Sequence, residues 1–147
     1  ALDCATVFGE NQPLRRLRLD YAYLTQTRKD KEVYFKSNYA GEYLRHKFVA
    51  NLDHRLISRL NASWVFRLQE RNGNYVVVDR TNPAKLKATD QLMPYGLHGR
   101  LDLKLHWDAK NYSLFCDLQN LTNHRFYDLA NVEQPGFVVM AGASYQF

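Results

Sequence analysis

His98, Asp102 and His106 recur at every fourth position of one stretch, and two imidazoles flanking a carboxylate are the donors of a metal site or an acid–base pair. The stretch reads as a β-strand, where a step of four moves a side chain about 13 Å, too far to share one ion. Arg100 and Lys104 stand between them, so the set reads as a hydrated row of mutually screened charges. Asp102 and Asp117 form a second candidate. Pairing Trp107 with Tyr112 across the next turn places these carboxylates opposite each other, as in glycosidases. Like charges directly opposite are unfavourable unless compensated, and Arg100 and Lys104 lie diagonally near, so a ladder of charges accounts for the pair without catalysis. Cys4 and Cys116 lack C-x-x-C or Cys/His ligand spacing. They read as two unpaired thiols, Cys116 as a small apolar wall residue, with a disulfide between them as the alternative. There is no G-x-S-x-G elbow, no H-E-x-x-H and no phosphate-cradling glycine loop, so the residues point away from an enzyme, and they require no metal or other cofactor.

A ligand surface is the other chemistry on offer. Tyr34, Phe35, Tyr39, Tyr75, Phe126 and Tyr127 lie in long polar connections and supply large contact area at low entropic cost. Arg125 and His124 add donors for anionic or polar groups. The competing role for each is self-packing of the loops or anchoring at an interface.

What positions these residues is a period of two, which on a strand sends successive side chains to opposite faces. In residues 95–107, Tyr95, Leu97, Gly99, Leu101, Leu103, Leu105 and Trp107 oppose Gly96, His98, Arg100, Asp102, Lys104 and His106. The same split recurs in residues 17–25, 47–56, 60–70, 112–118 and 137–147, giving six long strands. A strand of twelve steps tilted near 40° rises roughly 30 Å, and an apolar face with an aromatic at each end and leucines between is what a bilayer-crossing strand presents. Connections alternate in length: residues 57–59 and 108–111 are tight, whereas residues 27–43, 72–94 and 121–136 are long and polar. The expectation is an all-β, antiparallel up-and-down meander of about six long strands, a segment of a large transmembrane β-barrel with the tight turns on the periplasmic rim.

The composition agrees: 14% of the residues are aromatic, ten of them Tyr, only 24% are charged, and no run of apolar residues is long enough to span a membrane as a helix. The net charge of +5 is spread at alternate positions and forms no stripe, which argues against a nucleic-acid partner.

Parity fixes a register. Leu56 and Leu60 share a face across a three-residue loop, which pairs His46 with Glu70, Phe48 with Leu68, Ala50 with Phe66 and Leu52 with Trp64. Leu52, Phe66, Leu97, Leu101, Leu103, Leu105, Leu114 and Leu118 are expected to face outward, and Arg67, Arg100, Asp102 and Lys104 to face the concave side.

The tail Asn120-Leu121-Thr122-Asn123, Tyr127, Gln134-Pro135-Gly136-Phe137 and Tyr145-Gln146-Phe147 resembles the end of TonB-dependent receptors, where an N-L-x-N segment leads through a Pro-Gly turn into a last strand closing on an aromatic. Tyr43-Leu44-Arg45-His46-Lys47-Phe48, Leu52-Asp53-His54-Arg55, Trp64 and Arg71-Asn72-Gly73-Asn74-Tyr75 are similar to cobalamin receptors of the Bacteroides type. The resemblance covers nearly the whole chain but about the last quarter of such a receptor; the plug, the TonB box and about sixteen of 22 strands have no counterpart. It implies a single, incomplete domain over residues 1–147 in the bacterial outer membrane, contributing wall and external loops to the import of cobalamin first, an iron siderophore or glycan next. The implied partners are outer-membrane lipid, the plug and remaining strands, TonB acting through that plug, and the barrel-assembly machinery. The last partner would read Gly142, Tyr145 and Phe147 in the final strand, where Met140 departs from the usual polar residue. Six strands fall short of the smallest closed barrel, so the strands at residues 17–25 and 137–147 should not pair. The alternative is a small barrel of its own, an outer-membrane enzyme or a lipocalin-like binder; a lipocalin would hold its apolar face inside.

Overall fold

Period-two alternation becomes a sheet with two chemically different faces. The computed structural model describes residues 2–3, 13–26, 42–82, 84–85 and 87–147. In chain order the strands are β1 (Leu2–Asp3), β2 (Leu14–Tyr23), β3 (Leu44–Ile57), β4 (Leu60–Arg71), β5 (Asn74–Asp79), β6 (Lys87–Pro94), β7 (Leu97–Asp108), β8 (Tyr112–Gln119), β9 (Tyr127–Asp128), β10 (Val132–Glu133) and β11 (Val138–Tyr145). One 3-10 turn, Leu129–Asn131, separates β9 from β10. The six expected strands are β2, β3, β4, β7, β8 and β11, and they form one antiparallel meander, with β1 adding two residues beside β2. The sheet is open: β2 pairs with β1 and β3, β11 pairs with β8, and the described residues join neither edge to the other.

Register turns alternation into rows. One row on the apolar face runs Leu17, Leu52, Trp64, Leu103, Leu118 and Val139 across six strands. The next row on the charged face runs Arg16, Asp53, Ser63, Lys104, Asp117 and Met140. Leu52, Phe66, Leu97, Leu101, Leu103, Leu105, Leu114 and Leu118 share the first face, and Arg67, Arg100, Asp102 and Lys104 share the second.

Some large apolar side chains lie at the surface of the first face, and two polar ones are buried on the second. Leu97 is 63% exposed and Tyr21 64%, while His98 and Asp102 on the charged face are 5% and 8% exposed. The grooves on the sheet are lined largely from the charged side, one of about 210 Å³ by Val65, Arg67, Arg100, Asp102, Lys104 and Asp117.

The first hairpin has the expected ladder, including His46 opposite Glu70, but not the expected loop. Ile57 pairs with Leu60 around a two-residue turn, Ser58-Arg59, and an irregularity between Arg55 and Ile57 takes up Leu56. The bulge absorbs the third loop residue, so the ladder above it is unchanged.

The second hairpin is two residues out of the expected register. Lys104, not Asp102, stands opposite Asp117, and Trp107 opposite Leu114. The Ala109 amide donates to the Tyr112 carbonyl at 2.8 Å, leaving Lys110-Asn111 as a two-residue turn. A slip of two keeps every side chain on its face, so parity cannot detect it. The shorter turn also replaces two facing carboxylates with an ammonium facing a carboxylate.

Tyr95 also departs from expectation. It is 7% exposed and off the apolar face, because Gly96 adopts φ +66°, a left-handed backbone that ends the alternation before Leu97. The connection expected at residues 72–94 contains the β5–β6 hairpin, and that at residues 121–136 contains the β9–β10 ladder.

Candidate functional site

Asp102 organises the charged face. Its Oδ1 accepts from Arg100 Nε at 2.7 Å and from the Asn120 amide at 2.8 Å, and its Oδ2 accepts from Arg67 Nη1 at 2.7 Å. Arg67 and Arg100 are direct cross-strand partners, a repulsive pair that this one carboxylate bridges. Arg100 Nη2 also donates to Gln119 Oε1 at 3.0 Å. With both oxygens engaged, Asp102 ties strands and tail together, and the expected facing of Asp102 and Asp117 is replaced by Lys104 opposite Asp117.

Asn120 couples that network to the tail. It is 2% exposed with φ +53°, a left-handed geometry that Asn tolerates better than most residues. Its Nδ2 donates to the His124 and Pro135 carbonyls at 3.0 and 2.9 Å, and its Oδ1 accepts from Thr122 Oγ1 at 2.7 Å. Asn123, at φ +51°, accepts the Phe137 amide on Oδ1 at 2.9 Å, and its side chain lies against Gly136, where any Cβ would strike it. The N-L-x-N and Pro-Gly segments therefore latch onto each other and, through Asp102, onto β7.

At the loop end, Tyr75 stacks on Tyr127 at 4.4 Å and tilts against Tyr95 at 5.8 Å. Phe126 lies 3.8 Å from the His98 ring and stacks more distantly on His124. Arg80 Nη2 donates to the Tyr127 hydroxyl at 2.8 Å and to Glu133, and the Glu133 carboxylate, with Tyr127, holds the guanidinium above its ordinary pKa. Arg71 binds Asp128 and donates to the Glu42 carbonyl at 2.9 Å. The Tyr95 hydroxyl donates to Glu42 Oε2 at 2.8 Å, and burial first, then this bond, pushes its pKa up to about 12. Of the expected ligand residues, Tyr75 and Tyr127 thus meet in one aromatic group with Tyr95, Phe126 stacks in another with His98 and His124, and Arg125 lines a separate groove with Asn123, Gln134 and Phe137. Tyr34, Phe35 and Tyr39 lie outside the described residues, as does Cys4. Spacing alone did not reveal Arg71, Asn120 and Asp128, whose partners are 29 to 57 residues away or arise from backbone geometry.

In β11, Gly142 sits opposite Phe115, and a Cβ there would come within 2.5 Å of the ring's Cε1, so the aromatic lies across the glycine. Tyr145 pairs with Tyr112 on the apolar face, 5.3 Å from the fully exposed Phe147 ring. Met140 stands opposite Asp117 on the charged face. Cys116 is a free thiol on the apolar face, between Leu105 and Ala141.

Comparison with protein-family models, curated proteins and solved structures finds no match for this chain.

Proposed function

We propose that this sheet is an arc of a transmembrane β-barrel in the bacterial outer membrane, the C-terminal part of a TonB-dependent receptor that imports a scarce nutrient. The observation that carries the reading is the two-faced sheet: Leu19, Tyr21, Leu97, Leu114 and Tyr145 are exposed on the apolar face, while the opposite, charged face holds the buried His98 and Asp102. A lipocalin-like binder would need the opposite arrangement. The tyrosines of the apolar face fall in two bands: Tyr21 and Tyr23 at the loop end, and Tyr112 and Tyr145, beside Trp107, at the turn end. Along β3, His46 to Ile57 spans these bands, roughly 28 Å at about 3.3 Å per residue and a tilt near 40°, close to the height of an apolar belt. In this reading the charged face lines the lumen against a plug, TonB acts through that plug, and β11 presents Gly142, Tyr145 and Phe147 to the assembly machinery. Cobalamin is the first ligand to test, with siderophores and glycans next, and the role is transport, not catalysis.

The two tryptophans supply the test. Trp64 lies in the middle apolar row and Trp107 in the row at the turns, about 10 Å apart in depth. In vesicles, lipids brominated deep in their chains should quench Trp64 more strongly, and lipids brominated near the headgroup should quench Trp107 more strongly, as single-tryptophan variants would resolve. No quenching at either position would remove the membrane reading. Calorimetric titration of the full-length protein with cobalamin tests the ligand separately.

A further inference from the structure

Beside the first residues of β7, under the 120–137 segment, lies a pocket of about 160 Å³ lined by Arg67, Gln69, His98, Arg100, Phe126 and Gln134. His98 is 95% buried, its ring stacked on Phe126, and neither ring nitrogen has a hydrogen-bond partner among the described residues. The Gly96 backbone comes near the ring but outside hydrogen-bonding geometry. A buried polar group of this kind normally has a partner, so the ring calls for one in the pocket. The surrounding charges say which kind. Asp128, also on the pocket wall, is matched by Arg71, whereas Arg67 and Arg100 share the single carboxylate of Asp102. One positive charge is left over on guanidinium groups that face the cavity.

We propose that this pocket binds a small oxyanion, a phosphate or a carboxylate, held by His98 N–H, the Nε and Nη2 edge of Arg67 and the remaining Nη1 of Arg100, with the Gln69 and Gln134 amides as further donors. Charge-assisted hydrogen bonds to guanidinium favour such a ligand, and bidentate geometry fits both classes. The volume equals about five waters at about 30 Å³ each, enough for one oxyanion group with residual water and too little for an entire nutrient. The site is built from side chains of the strands and the latched tail, so it stands whether or not the sheet spans a membrane.

The test uses the full-length protein in detergent with isotope-labelled histidine, titrated with phosphate, acetate or chloride at matched ionic strength. The expected result is a saturable shift of the His98 ring resonances by phosphate or acetate, with a dissociation constant of about 1 mM or tighter, and none by chloride. Whichever of the two binds more tightly identifies the source as tetrahedral or planar. Arg100→Gln should weaken binding at least tenfold. Because that change also touches Asp102, Gln134→Ala, outside the Asp102 network, serves as the second variant and should weaken binding several-fold with an unchanged circular dichroism spectrum. A response equal to that of chloride, or none, would mean that the pocket holds water alone and would overturn the proposal.

Discussion

At the scale of single residues, the most consequential group is Asp102, which the sequence placed in a ladder of charges and the structure makes a tie between two arginines and the tail. Removing the Asp102 carboxylate leaves Arg67 and Arg100 facing each other and the Asn120 amide without its acceptor. Asp102→Ala should therefore destabilise the protein by about 3 kcal/mol, the lower end of the range for a broken buried pair because Arg67 is itself 39% exposed; denaturant unfolding would measure it. Tyr95 gives a pH-dependent counterpart. Its folded pKa is raised to about 12, above an unfolded value near 10, so the stability it contributes is fully present below pH of about 10 and is lost as pH rises through about 12. Absorbance at the tyrosinate band should show one tyrosine titrating last, and Tyr95→Phe should remove that late step and cost about 1–3 kcal/mol by leaving Glu42 without this donor.

Among the elements, the strands were legible wherever one face was apolar and the other charged, as in β4 and β7, because a one-residue error would have exchanged the faces. The β5–β6 hairpin was not legible. Asn74–Asp79 carries three consecutive valines and Lys87–Pro94 has no clean alternation, so neither segment signals a face, and part of their placement comes from Asn131 Oδ1 accepting the Val76 amide at 2.7 Å. The candidate site was legible in its residue types but not in its connections: Phe126 and Tyr127 stood out, whereas their links to His98 and Arg80, and the link of Asn120 to Asp102, depend on tertiary distance. The β7–β8 register needed charge as well as parity, and that can be tested directly. Lys104→Glu would place two carboxylates opposite each other and should destabilise by about 0.2–1 kcal/mol, and adding Asp117→Lys should recover most of the loss; a double-mutant unfolding cycle would read the coupling.

For the whole molecule, the open sheet is the dominant fact. The long edges of β2 and β11 present backbone donors and acceptors that the described residues leave largely unpaired, beside a broad apolar face. In isolation the 147-residue chain should associate in a concentration-dependent way, which sedimentation in detergent would detect as species heavier than the monomer. The far edge is held with unusual definiteness. With the Phe115 ring lying across Gly142, β11 can slide along β8 only if the ring lifts. The smallest slip that keeps the faces is two residues, and it would bring Met140 or Ser144 under the ring, where a side chain collides. Gly142→Ala should cost about 1–3 kcal/mol, and Phe115→Ala in the same chain should relieve it. The pair acts as a mechanical detent, so that whatever strand next docks on the free edge meets it at one fixed height.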